Sequence, residues 1–503
     1  MSTISLKHVS FTYPSGNTPV FENISFSFDT DWKTGLIGRN GKGKSTLLAL
    51  LQGKYAHSGS IEPHLSVSAY PFTIHDPSLL TYSVLEEIAP LAQLWQFERE
   101  LSLLHVREDI LYQPIETLSY GEQTKVMLAG LFLGHHDYLL IDEPTNHLDA
   151  SGREILSTYL SKQKTGYMIV SHDRTFLDQC TDHTISLNRS DISMTAGSFS
   201  TWFEQYTIET QSQLSRNRQL NRDINRLHAS SLQAAQWSAS VEKTKSGTRI
   251  AGLKPDKGRI GHKAAKMMKR SIQIQKHAEK AIQEKKSLLK NAEETEQLKL
   301  HPLTFHSDPM IVMDHFTVCY DKPLFLPVSL SINNGDRIAL SGPNGCGKTS
   351  VLKALLKEEI PYTGTVKMGK NLLISYVPQD TSCLSGSLYQ YAEKHNIDCT
   401  LFLALLRKLG FERTLFETDI ANYSSGQKKL TALAGSLATK AHLYIWDEPL
   451  NYIDIFVRMQ LQELIENCNA TIMFVEHDQA FTDAVATKTL VLEDQTSVLF
   501  TYF

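Results

Sequence analysis

At 503 residues, with 41% hydrophobic and 21% charged side chains, the chain exceeds a single core and has a globular balance, neither disordered nor membrane-embedded. No apolar run approaches the roughly eighteen residues that a spanning helix needs, and six cysteines without CxxC or Cys/His metal spacing fit buried thiols in a reducing cytosol. The net charge of −4 conceals an asymmetry: residues 211–300 hold 20 Lys and Arg against 8 Asp and Glu, a local +12 that leaves −16 on the rest.

The opening MSTISLKHVSFTY lacks a basic flank and an apolar h-region, so it reads as a first strand and not as a secretory signal. Behind it a punctuated pattern occurs twice, about 305 residues apart. The first copy reads GRNGKGKST (38–46), LSYGEQ (118–123), LLIDEPTNHLD (139–149) and SHD (171–173); the second reads GPNGCGKTS (342–350), YSSGQK (423–428), YIWDEPLNYID (444–454) and EHD (476–478). Lys44 to Asp142 is 98 positions and Lys348 to Asp447 is 99; Ser119 to Asp142 and Ser424 to Asp447 are both 23. Four motifs keeping order and spacing predict two α/β domains, near 1–200 and 305–503, around a linker over 201–304.

In each copy an apolar segment (Gly35-Leu36-Ile37; Ile338-Ala339-Leu340) enters a glycine-rich loop, and Leu/Ala-rich sequence of helical spacing leaves it. This is the strand, loop and helix of a phosphate cradle. Gly38, Gly41 and Gly43, and Gly342, Gly345 and Gly347, let backbone N–H groups wrap phosphates at a helix N-terminus. Lys44 and Lys348 are expected to reach the β- and γ-phosphates of ATP, and Ser45 and Thr349 to hold Mg²⁺; Asn40, Thr46, Asn344 and Ser350 complete the two candidate ATP-binding loops.

Tyr138–Ile141 and Tyr444–Trp446 read as buried strands that deliver Asp142 and Asp447 as Mg²⁺ ligands, with Glu143 and Glu448 next in line to polarise the attacking water. His172 and His477, each 29 positions after its glutamate and each following an apolar strand, are candidate γ-phosphate donors.

These motifs resemble the nucleotide-binding domains of the ATP-binding-cassette family over both halves of the chain. In that family LSYGEQ and YSSGQK look like the signature motif, so the resemblance implies that Lys44 pairs with Ser424 and Gly426 of the opposite domain, and Lys348 with Ser119 and Gly121. It also implies that Tyr13 and Tyr320 stack on adenine and that Gln379, in YVPQ, is the glutamine that positions Mg²⁺ or water. The chain departs from the pattern at three points: Phe72 stands where the first domain should carry that glutamine, Leu450 replaces the threonine after DEP, and Gln427 replaces the usual signature glutamate. Asymmetric turnover is therefore expected.

In the linker, Leu220, Ile224 and Leu227, then Met268, Ile272, Ala278 and Ile282, keep approximately helical spacing and predict two long helices. Between them residues 243–270 hold ten Lys/Arg against one Asp, with glycines and Pro255 that forbid one continuous helix. At ~1.5 Å per residue, a helix of about 36 residues would carry this tip roughly 50 Å. Lys243, Lys245, Arg249, Lys254, Lys257, Arg259 and Lys263 are the candidate RNA contacts, since basic side chains neutralise phosphate independently of sequence.

Two cassettes with such a linker resemble the ABC-F proteins, and IGRNGKGKSTLL, HKAAKMMKRSIQIQKHAEK and LYIWDEPLNYID resemble the antibiotic-resistance, ribosome-protecting Vga/Lsa-type members. The resemblance implies a cytoplasmic monomer whose cassettes pair within one chain on ATP and Mg²⁺. Its partner would be the 70S ribosome, with 23S rRNA at the E-site and P-site tRNA as contacts. The tip would displace lincosamide, pleuromutilin and streptogramin A drugs. A chain ending at Phe503 leaves out the basic C-terminal extension of some members, and about 70 residues between first P-loop and signature leave little room for the arm of housekeeping members. A housekeeping ABC-F translation factor and the ATPase of a membrane transporter remain alternatives; neither a stable membrane partner nor DNA is expected.

Overall fold

The computed structural model describes residues 2–14, 19–63, 66–74, 76–146, 148–187, 192–243, scattered positions between 266 and 280, Leu300, and 302–493. The chain divides into two units, one of Met1–Trp202 with Glu296–Phe503 and one of Phe203–Thr295.

In the first unit the continuous apolar runs become central parallel strands, because only a strand covered on both faces buries such a run. Tyr138–Asp142 and Tyr167–Val170 lie inside a sheet ordered Val67–Tyr70, Tyr138–Asp142, Tyr167–Val170, Lys33–Gly38, His183–Leu187, Ile192–Ala196, parallel except for the last pair. The second copy repeats it as Ile374–Val377, Leu443–Asp447, Ile472–Val475, Arg337–Ser341, Lys488–Val491, all parallel. Each copy adds a three-stranded antiparallel sheet, centred on Thr3–Phe11 and on Ile311–Val318. Phe28, Leu36, Leu47, Tyr138 and Leu140 join the two sheets of the first copy in one core; Phe316, Ile338, Val351 and Ile445 do so in the second.

The strand order sets the site. The strand that enters each glycine loop pairs in parallel with the strand that precedes His172 or His477, and that strand pairs with the one ending in Asp142 or Asp447. Three functional ends therefore emerge side by side at the carboxyl edge, where ligands of open α/β sheets bind.

The helices after the loops, Lys44–Leu51 and Lys348–Leu355, start at Gly43 and Gly347, with φ of 94° and 98° and no side-chain cap. A Cβ at Gly43 would lie 2.7 Å from Val20, and one at Gly347 2.9 Å from Leu324, so glycine is required on both steric and conformational grounds. Their first N–H groups are left for a ligand.

The signature segments open the helices Tyr120–Leu133 and Ser425–Ala438, each by a capping box. Gln427 in place of glutamate keeps the box: its Oε1 accepts from Ser424 N at 2.9 Å, as Glu122 Oε2 accepts from Ser119 N at 3.0 Å.

One helix runs from Phe199 to Lys243, 45 residues or ~67 Å at ~1.5 Å per residue. It begins before the predicted stripe because Phe199 and Trp202, 2% and 3% exposed, anchor its first turn. Ile224 is buried and Leu220 and Leu227 half-buried, the stripe that the spacing predicts; Met268 and Ile272 are helical and exposed. Lys243 is described only as the last residue of the helix, and Lys245, Arg249, Lys254, Lys257, Arg259 and Lys263 lie outside the described residues, as do Ala278 and Ile282. No described helix is long and apolar enough to cross a membrane.

Candidate active sites

Each loop lysine is buried and bonded to its own loop. Lys44 Nζ donates to Gly38 O at 2.7 Å and Asn40 Oδ1 at 3.2 Å; Lys348 Nζ donates to Gly342 O at 2.8 Å and Pro343 O at 2.9 Å. Burial pulls the Lys44 ammonium below its ordinary range, against the raising charges of Glu143, Asp454 and Asp142. Ser45 Oγ donates to Asp142 Oδ2 at 2.9 Å. In the second copy neither oxygen of fully buried Asp447 has a well-formed hydrogen bond among the described residues; burial and the Glu448 charge raise its pKa, while Thr349, Lys429 and Lys348 pull it down. A buried carboxylate with open lone pairs beside a hydroxyl is the donor set of a hard cation, so the residues fit Mg²⁺.

Glu143 and Glu448 both sit in the left-handed region, with φ of 51° and 48°, held there by N–H bonds to Val170 O and Val475 O. Non-glycine residues so held are strained, and such strain clusters at functional sites. Their surroundings differ. Burial, then the Asp142 charge, pushes Glu143 up to about 7, with Lys44 and Arg458 only partly opposing. Burial also pushes Glu448 up, but a hydrogen bond and charge from His477, then Gln379 and Lys429, outweigh it and hold it below the usual carboxylate range. Asn451 Nδ2 also donates to Glu448 Oε2.

His172 Nε2 stands 3.3 Å from Glu143 Oε1 and His477 Nε2 3.6 Å from Glu448 Oε1. Burial keeps the His172 ring neutral, well below its ordinary pKa, with Lys44 and Arg458 acting the same way.

Across the two copies the structure joins the first loop to the second domain. Asn40 N donates to Asp454 Oδ2 at 3.1 Å, and Asn40 Nδ2 to Tyr452 O at 2.9 Å. A Cβ on Gly426 would lie 3.6 Å from Asn40 Nδ2, which places the second signature against the first loop. Arg39 lies over the Phe456 ring, 5.6 Å from its centroid, and Trp202 meets the same ring edge-on at 6.1 Å. Lys348 and Ser119 spend their hydrogen bonds within their own segments: Ser119 Oγ donates to Glu122 Oε2 at 2.7 Å, whereas Ser424 Oγ only accepts, from Gln427 N. Gly121 follows Ser119 in the first turn of its helix.

Tyr13 packs in a trio with Phe11 and Tyr55 and bonds Thr46 Oγ1 at 2.8 Å; Tyr320 is exposed and reaches Ser350 Oγ at 3.3 Å. Asn344 belongs to the turn between Gly342 and Gly345.

Sequence reasoning missed several side chains. Arg458 donates to Asp478, Ile453 O and Leu450 O, and its charge reaches Glu143 and His172 of the other copy. Arg153 does the same for Asp173 and Leu148 O. Both follow the repeated aspartate by four positions, a signal the repeat itself carries. Lys429, 1% exposed, donates to Pro378 O, Gln379 O and Asp447 O, and burial pulls its ammonium down to about 8 against four nearby carboxylates. Leu450, the third departure, is also explained: Thr145 and Ser171 pair at 3.0 Å in the first copy, while in the second Glu476 takes the Leu450 N–H instead.

Two glycine loops, each facing a strand-end Asp–Glu pair and a histidine, define a tandem P-loop ATPase. The ABC transporter family model matches residues 21–146 and 325–451, and the chain belongs to that family. Its relatives match over nearly the whole of this chain. It is 27% identical to the ATP-binding protein Uup of Caulobacter vibrioides, over 97% of this chain and 77% of that protein. It is 26% identical to ABC transporter F family member 2 of Arabidopsis thaliana, over 98% and 77% respectively. In fold it is similar to the archaeal ribosome recycling factor aABCE1, solved with the ribosomal stalk protein aP1, at TM-score 0.60 and 18% identity over 92% of this chain and 83% of that one.

Proposed function

We propose that this ABC-F ATPase acts on the ribosome: its cassettes pair within one chain on two ATP molecules, the closed form binds the 70S E-site, and hydrolysis releases it. The observation that carries the reading is the Asn40 contact with Asp454 and Tyr452, which sets the first glycine loop against the second cassette of the same chain. The helix Phe199–Lys243 leads into the basic stretch 243–270, chemistry suited to a folded RNA backbone. The similarly folded aABCE1 is a ribosome recycling factor, which supports the same partner.

In this reading Lys44 and Lys348 leave their loop carbonyls for the β- and γ-phosphates, and Ser424 with Gly426, and Ser119 with Gly121, close on the γ-phosphates from the opposite cassette. Glu143 and Glu448 orient and polarise the water, and His172 and His477 donate to the γ-phosphate. Ser45 with Asp142, and Thr349 with Asp447 and Gln379, would hold Mg²⁺, which would supply charge neutralisation at the phosphate oxygens. Tyr13 and Tyr320 flank adenine.

The finer reading is that a linker tip near 243–263, through Lys243, Lys245, Arg249, Lys254, Lys257, Arg259 and Lys263, contacts 23S rRNA and P-site tRNA and protects the peptidyl-transferase centre from lincosamides, pleuromutilins and streptogramin A. The local +12 supports it. Co-sedimentation of a Glu143→Gln, Glu448→Gln double variant with 70S ribosomes tests the main reading: ATP-dependent binding is expected, and none at low salt overturns it. Drug susceptibility of cells with and without the protein tests the finer one; equal susceptibility leaves a housekeeping translation factor.

A further inference from the structure

The helix Ser425–Ala438 carries, one turn beyond the signature, a lysine where the first copy has Thr124; each stands five positions after its signature serine. Lys429 is 1% exposed and is followed in its helix only by small and apolar residues, from Leu430 to Ala438. A cation so buried costs free energy unless its donors are matched. All three are: Nζ lies 2.7 Å from Pro378 O, 3.2 Å from Gln379 O and 2.9 Å from Asp447 O. Two acceptors belong to the glutamine loop and one to the strand end that bears Asp447 and Glu448. The same ammonium therefore ties together two segments 68 positions apart, both contributing to one ATP site.

The first copy lacks both parts of this arrangement. Phe72 occupies the glutamine's place in the sequence, and Thr124, at the position of Lys429, pairs its hydroxyl with Tyr70 at 2.9 Å. Glutamine and lysine occur together in one cassette and are missing together in the other.

The geometry points to Lys429 as a positioning residue of the second ATP site: it clamps the glutamine loop to the end of the Asp447 strand and so fixes Gln379 against Glu448. Its three donors are all taken by backbone carbonyls, so it acts through Gln379 and Glu448. The inference rests on the roles proposed for those two residues.

The test uses the full chain carrying Glu143→Gln, in which turnover belongs to the second site. Lys429→Thr, which installs the residue native to the first copy, is expected to lower kcat at least tenfold with the ATP KM changed less than threefold. The Mg²⁺ concentration for half-maximal turnover rises several-fold, and the Mg²⁺-dependent gain in mant-ATP binding is lost, while mant-ATP binding without Mg²⁺ stays within threefold. Lys429→Arg, which keeps a multi-donor cation, recovers part of kcat. An unaltered kcat overturns the inference. So does an equal fall when Lys429→Thr is placed in the Glu448→Gln protein, or a melting temperature lowered in step with kcat, since either means that the lysine merely holds the cassette together. Failure of the underlying site assignment is separately visible: Glu448→Gln alone would then leave turnover intact.

Discussion

The two ATP sites are built from one repeated set of motifs and differ in what surrounds the glutamate. Around Glu448 stand His477, Gln379, Asn451 and Lys429, and the carboxylate is held ionised. Around Glu143 stand Asp142 and neutral His172, and burial pushes the carboxyl to about 7. The first site has the better-assembled partner surface, since Asn40 already meets Asp454 and Tyr452. The second has the better-prepared glutamate. A repeat can thus keep its glycine loops, strand-end carboxylates and histidines and still surround its two glutamates differently.

The sharpest way to break this comparison is to remove each glutamate singly. Glu448→Gln is expected to lower steady-state ATPase about 100-fold, in the range that a general base supplies, and Glu143→Gln less than tenfold; equal losses measured by phosphate release would erase the distinction. Next in size, Asp454→Asn removes the acceptor of Asn40 N, and mant-ATP binding to the first site, measured with Lys348→Ala silencing the second, should weaken about tenfold, the scale of one charge-assisted hydrogen bond. Asp149→Asn, the matching change in the first copy, should have a smaller effect on the second site.

Phe72→Gln offers the first site the missing amide. In the Glu448→Gln protein it should raise residual turnover roughly threefold to fivefold; no gain would mean that Thr124 in place of Lys429 leaves the new glutamine unplaced.

The smallest expected effect is on stability. Glu143 is raised from an unfolded value of about 4.5 to about 7, so the folded protein loses stability as pH rises through that window. Glu143→Gln should therefore stabilise the nucleotide-free protein more at pH 8 than at pH 5, by on the order of 2 kcal/mol, read as a larger rise in melting temperature at pH 8. Glu448→Gln, removing a carboxylate whose pKa is lowered, should not.

The sequence made the loops, strand ends and histidines legible because each is a short contiguous motif whose geometry follows from local structure. The Phe72 departure was equally plain once the copies were aligned. Lys429 was not, since its meaning lies in three carbonyls of distant segments that only the folded sheet brings together. Nor were Arg39, Phe456 and Arg458, which act across copies more than 280 positions apart. Opposite shifts at two identical glutamates depend on burial and on neighbours, quantities that no motif encodes. The 45-residue helix was predicted from its stripe but too short at its start, where two buried aromatic rings and not periodicity decide the first turn.

The helix Ser425–Ala438 presents Gly426 to the first glycine loop and, three residues or ~4.5 Å further along, Lys429 to the second site's glutamine loop. It is one rod with a glycine loop and a glutamine loop at its two sides, so in the proposed closed form any roll that accommodates a γ-phosphate at the first site would move the clamp at the second. Such a linkage is reciprocal: whatever factor ATP at one site lends to affinity at the other must be returned in equal measure. The two sites form a single thermodynamic cycle, and filling them in either order arrives at the same closed state.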